Sequence, residues 1–99
     1  MGFKRISVDE AKALIAAQDV TVIDVRDAGS FEASSITGAT HVADHNLQDF
    51  VSLTDKEKPL VIYCFHGNSS QGAADYFDGQ GFAEVYSMDG GYEAWRISG

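Results

Sequence analysis

One heptapeptide concentrates the reactive side chains of this sequence: Cys64-Phe65-His66-Gly67-Asn68-Ser69-Ser70. It follows the apolar run Leu60-Val61-Ile62-Tyr63 and leads into Ser70 to Asp78, where Ala73, Ala74 and Phe77 fall on one helical side. A strand, a tight loop and a helix are therefore expected, with Cys64 at the strand's carboxyl end, where open parallel sheets bind ligands. A loop this short turns successive backbone N–H groups inward, and the helix behind it adds unpaired N–H groups and the positive end of its dipole. Both favour the thiolate, the reactive form of cysteine. The same cradle suits a small anion or a terminal persulfide. Gly67 relieves the turn of a side chain, and Gly72 on the helix's first turn is expected to let neighbouring backbone approach closely. Plainer roles stand beside these: Cys64 as a small buried hydrophobe, and Ser69 or Ser70 as the helix N-cap.

Spacing excludes several other chemistries. A thioredoxin-like motif needs a second cysteine three residues on, where Gly67 stands. A phosphatase of the C-x5-R type needs an arginine at position 70 to clamp phosphate bidentately, and that position is serine. No lysine or arginine lies anywhere between Pro59 and Glu93. A P-loop's Gly-Lys-Ser/Thr is absent, and after Gly79-x-Gly81 the third glycine of a dinucleotide fingerprint is replaced by Glu84.

The rest of the chain must position that loop. Its 99 residues suffice for one domain, spanning 1–99, that exposes roughly 5,500 Å² when folded. Seven Lys and Arg against fifteen Asp and Glu give a formal charge of −8, which opposes nucleic-acid and anionic-membrane partners. The single cysteine permits neither an internal disulfide nor a thiolate-rich zinc site, so reducing cytosol is the expected compartment. Met1 to Ile6 lacks the apolar run of a signal peptide, and no stretch reaches the roughly 18 apolar residues of a membrane span.

Short apolar runs alternate with helical patterns, the mark of an α/β protein with a parallel sheet. Ser7 followed by Glu10 is a capping box, opening a helix that carries Ala11, Leu14 and Ile15 and ends near Gln18-Asp19. Val20 to Val25 reads as a central strand in which Asp24 is the misfit, since an unpaired buried charge is costly. A short helix over Ala28 to Ser35, a small strand over Thr40 to Ala43 and a helix around Leu47, Phe50, Val51 and Leu53 follow. Beyond the cysteine loop and its helix, stopped by Gly79-Gln80-Gly81, come a strand at Glu84 to Ser87 and a terminal helical piece after Asp89-Gly90-Gly91.

Four motifs in order resemble the rhodanese family of sulfurtransferases. They are Val22-Ile23-Asp24-Val25-Arg26 with Phe31, Ile36-Thr37-Gly38-Ala39 with His41, the cysteine loop with Gly72-Ala73-Ala74, and Met88-Asp89-Gly90-Gly91-Tyr92-Glu93-Ala94-Trp95. The loop is similar to that of single-domain bacterial thiosulfate sulfurtransferases. The resemblance implies a single rhodanese-like domain, a five-stranded parallel sheet flanked by helices on both faces. It also implies a ping-pong reaction: Cys64 takes the outer sulfur of thiosulfate as a persulfide, cradled by the amides of Phe65, His66, Gly67, Asn68 and Ser69. Cyanide or a thiol such as thioredoxin or dihydrolipoate then accepts it, with no cofactor and no metal. Ser34-Ser35 departs from the family's Gly-His before the second motif and is read as a changed helix end.

The family strand order sets Asp24 and Arg26 beside the cysteine loop, as a structural pair, a support for the site together with Ser70, or a substrate contact. His66 is either a donor to the bound sulfur or a solvent-facing loop residue. His41 and His45 have a zinc spacing only on a helix, and the pattern puts His41 on a strand. Tyr92, Trp95, Phe77 and Phe82 read as core, and Phe65 as rim of the site. Two further functions fit the same residues: a persulfide relay fed by a protein donor, and a non-catalytic rhodanese-like binding or regulatory module.

Overall fold

Ser7 and Glu10 cap the first helix reciprocally, the Glu10 amide donating to Ser7 Oγ at 3.0 Å and the Ser7 amide to Glu10 Oε1 at 2.8 Å. The computed structural model describes residues 2–98. In chain order it contains β1 (Lys4–Ile6), α1 (Val8–Ala17), β2 (Thr21–Asp24), α2 (Ala28–Ala33), β3 (Thr40–His41), α3 (Leu47–Leu53), β4 (Leu60–Tyr63), α4 (Ser69–Gly79), β5 (Val85–Met88) and α5 (Gly91–Ile97). The strands form one parallel sheet in the order β1-β5-β4-β2-β3.

Side-chain alternation splits the core between the sheet's two faces. Val22, Val61 and Tyr63 point to one face, where Val8 and Ala11 of α1 join them, with Tyr92 and Trp95 of α5 packed alongside. Ile23, Leu60 and Ile62 point to the other, against Ala74 and Phe77 of α4 and, partly buried, Leu47 and Phe50 of α3. All four residues of β4 are inaccessible to solvent, the burial a central parallel strand requires. Helices thus flank both faces. Tyr92 and Trp95, expected in the core, are only partly buried and seal its edge, with Lys12 Nζ lying 5.2 Å from the Trp95 ring centroid.

One strand is invisible to hydrophobic patterning. Lys4-Arg5-Ile6 pairs with β5 in the register Lys4↔Tyr86 to Ile6↔Met88, yet Lys4 and Arg5 are exposed and only Ile6 is buried. A short charged edge strand protects the sheet from further pairing and shows no alternation to read.

The chain leaving β2 travels to β3 on one side, and the chain leaving β4 travels to β5 on the other. The carboxyl ends of β2 and β4 therefore border the topological switch point, the place where such sheets open a crevice. Arg26 follows β2 there, and Cys64 follows β4.

Candidate active site

Cys64 is 4% exposed, and its sulfur lies inside the loop that follows it. The amide of Gly67 donates to Sγ at 3.2 Å and that of Ser70 at 3.3 Å, while Ser70 Oγ lies 3.4 Å away. Burial is the largest single influence on the thiol and opposes its ionisation. The Ser70 hydroxyl, with the amides of Ser70, Gly67 and His66, outweighs it and holds the thiol below the ordinary cysteine value. The cysteine sulfur itself engages only part of the loop. The amides of Phe65, Asn68 and Ser69 make no hydrogen bond to it, whereas Ser70 engages it through its amide, which donates, and its hydroxyl, which lies within hydrogen-bond distance.

The helix behind the loop begins differently from either serine reading. Asn68 is the N-cap of α4 and makes no side-chain capping bond; Ser69 and Ser70 are the first two helical residues. Without a side chain capping the first turn, the Ser70 amide is free to serve the sulfur. Gln71 ties loop to helix, its Nε2 donating to the Gly67 carbonyl at 2.8 Å.

Two glycines fix the loop against the turn between β5 and α5. Gly67 has φ +91°, and a Cβ there would stand 2.8 Å from the Gly90 nitrogen. Gly91 has φ +60°, and a Cβ there would fall 2.5 Å from the carbonyl carbon and oxygen of Phe65 and closer still to the Cys64 oxygen. Close approach lets the first turn of α5 receive the loop's carbonyls: the Tyr92 amide donates to Cys64 O at 2.8 Å and the Glu93 amide to Phe65 O at 3.1 Å. With those carbonyls engaged outward, the amides of the loop can turn to the sulfur. Gly72 has no comparable task, because a Cβ there meets nothing within 4 Å. The close approach expected at Gly72 occurs at Gly91.

Asp24 and Arg26 form a buried ion pair. Arg26 Nη2 donates to Asp24 Oδ2 at 2.7 Å, Nε lies 3.1 Å from both carboxylate oxygens, and the Tyr63 hydroxyl donates to Oδ2 at 2.7 Å. Arg26 Nη2 also donates to the carbonyl of Ser34, the C-cap of α2, at 2.6 Å. Burial alone would lower the guanidinium's pKa, but the Asp24 carboxylate outweighs burial and raises it. Burial and the same carboxylate hold the Tyr63 hydroxyl far above its ordinary value. The Arg26 guanidinium stacks 4.2 Å from the Tyr92 ring centroid and 5.4 Å from that of Phe65. The pair thus supports the rim of the site and makes no contact with the sulfur.

Phe65 is 40% exposed at that rim, and His66 faces solvent beside it, with ring centroids 6.3 Å apart. Asn68 and Ser69 are exposed. His41 lies on β3, its Nε2–H donating to the Arg26 carbonyl at 2.6 Å, and His45 is exposed in the following loop. A cavity of about 370 Å³ opens elsewhere on the α3–α4 side between Val25, Val42, Leu47 and Tyr76; its apolar walls include no residue of the cysteine loop. One participant gave no signal in the sequence: Ser87 of β5, fully buried, with its Oγ 2.8 Å from Ser70 Oγ.

The structure is thus a parallel α/β domain whose cysteine follows a central strand into an amide-lined loop at the switch point. The chain is a member of the rhodanese family, the Rhodanese-like domain model matching residues 7–98. It is 50% identical over 96 residues to the thiosulfate sulfurtransferase GlpE of Pseudomonas savastanoi pv. phaseolicola, covering 97% of this chain and 90% of that protein. It is 51% identical over 94 residues to the protein of the same name in Pseudomonas entomophila, covering 95% of this chain and 85% of that one. The crystal structure of a rhodanese-like domain protein from Staphylococcus aureus superposes with a TM-score of 0.83 at 26% identity, over 98% of this chain and 95% of that one.

Proposed function

We propose that this protein is a thiosulfate:acceptor sulfurtransferase working through a persulfide on Cys64. The observation that carries the reading is the buried sulfur bound by the Gly67 and Ser70 amides and the Ser70 hydroxyl. A covalent carrier needs an activated nucleophile and preorganised donors, and this loop supplies both. The names of the Pseudomonas relatives agree with it.

In the first half-reaction the Cys64 thiolate attacks the outer sulfur of thiosulfate. A new S–S bond forms, the bond to the sulfonate sulfur breaks, and its electron pair leaves with sulfite. The negative charge then resides on the terminal persulfide sulfur, within reach of the loop from Phe65 to Ser69. In the second half-reaction an acceptor nucleophile attacks that sulfur, and Cys64 departs as the thiolate. Cyanide gives thiocyanate; a thiol such as that of thioredoxin or dihydrolipoate gives its own persulfide. The sulfur travels on the cysteine itself, so this scheme requires no cofactor. Another sulfane-sulfur donor would enter by the same route, and a reducing cytosol keeps the thiol available. No helix among the described residues is long and apolar enough to cross a membrane.

Steady-state thiocyanate formation from thiosulfate and cyanide tests the reading. Parallel double-reciprocal lines are expected, with activity abolished in Cys64→Ser. Turnover surviving in that variant overturns it.

A further inference from the structure

Ser87 stands on β5 opposite Ile62 of β4, two residues before Cys64, and is fully buried. Its Oγ lies 2.8 Å from Ser70 Oγ, which in turn lies 3.4 Å from Cys64 Sγ. Among the described residues the Ser87 hydroxyl has no other hydrogen-bond partner. A serine hydroxyl carries one proton, so the direction of this pair is a choice between two arrangements. If Ser70 donated to Ser87, the Ser87 proton would be buried without an acceptor and the sulfur would lose its hydroxyl donor. If Ser87 donates to Ser70, both hydroxyls are satisfied and the Ser70 proton is left to point at the sulfur.

We propose that Ser87 is a positioning residue for the sulfur chemistry: by donating to Ser70 Oγ it aims the Ser70 proton at Cys64 and so stabilises the thiolate. The inference deepens the proposed function and rests on it for its kinetic consequence. Cys64 is the leaving group when the acceptor removes sulfur, and a better-stabilised thiolate leaves faster. Ser87 does not touch the sulfur, so its influence must pass through Ser70. That requirement distinguishes it from a serine that merely fills the core.

The test titrates Cys64 by thiolate ultraviolet absorbance, with Cys64→Ser as the blank, in wild type, Ser87→Ala, Ser70→Ala and the double variant. A rise of several tenths of a unit in the midpoint is expected for Ser87→Ala, equivalent to roughly two- to fivefold less thiolate at pH 7. The double variant is expected to titrate like Ser70→Ala alone. A wild-type midpoint in Ser87→Ala overturns the proposal, as does the same rise from Ser87→Ala when Ser70 is already alanine. The titration uses no sulfur donor, so a failed Ser87–Ser70 link and a failed transferase assignment give different results.

Discussion

The amide of Tyr92 donates to the carbonyl oxygen of Cys64 at 2.8 Å, so the first turn of the last helix holds the residue that carries the thiol. The contact is possible because Gly91, at φ +60°, presents no side chain to the Phe65 carbonyl. The reactive loop is thereby clamped from two sides, by the start of α4 through Ser70 and by the start of α5 through Tyr92 and Glu93.

Alanine at position 91 must both adopt a left-handed backbone and displace the loop. A loss of about 1–3 kcal/mol from backbone strain alone is expected, with sulfur transfer falling more than the stability change explains. Gly72→Ala is the counterpart: its Cβ enters open space in a helix, and a gain of about 0.5–1 kcal/mol is expected. Urea unfolding of both variants, with activity measured alongside, checks the pair. A Gly91→Ala protein with native stability and turnover refutes the clamp.

Asp24→Asn leaves the Arg26 guanidinium buried without the carboxylate that compensates its charge. Removing one partner of a buried ion pair costs about 3–5 kcal/mol, which in a domain of this size lowers Tm by roughly 12 °C or more. Calorimetry or thermal circular dichroism gives the answer directly. An unchanged Tm would mean that solvent reaches Arg26 and replaces the carboxylate.

The depressed pKa of Cys64 has a stability consequence of definite sign. The folded value lies below the unfolded one, so the thiolate's contribution is complete above the unfolded pKa of about 8.5 and fades as pH falls through the folded value. The stability advantage of wild type over Cys64→Ala should therefore grow as pH rises toward about 8.5 and then level. Denaturation curves at a series of pH values, under reducing conditions, check it; a flat difference contradicts it.

The net charge of −8 makes an unusual prediction for salt. Thiosulfate is a dianion, and Arg26, the guanidinium at the site's rim, is already paired with Asp24. Shortening the Debye length from about 30 to about 8 Å screens the repulsion, so kcat/KM for thiosulfate should rise between about 0.01 and 0.15 M ionic strength. A fall over that range would indicate a cationic approach path.

Much of this site is legible in the sequence, for physical reasons that also mark where legibility ends. A continuous apolar run ending in Cys64, followed by Gly67 and a helical pattern, identifies the central strand and the loop, because parallel strands buried on both faces have no polar interruptions. Asp24 stands out in its strand for the same reason, and Arg26 two residues on is its partner. Strand β1 is illegible since its charged residues face solvent at a sheet edge. Ser87 is illegible since a serine in a strand looks the same whether it fills space or directs a proton. The role of Gly91 depends on contact between residues 26 and 27 positions apart, Phe65 and Cys64, which only the folded chain brings together.

Intact-protein mass spectrometry after incubation with thiosulfate addresses the sulfur carrier itself. The expected result is a gain of one sulfur atom on the wild-type chain, reversed by cyanide and absent in Cys64→Ser. An unmodified wild-type protein, or a cyanide-labile sulfur that persists without Cys64, would contradict a persulfide at this cysteine.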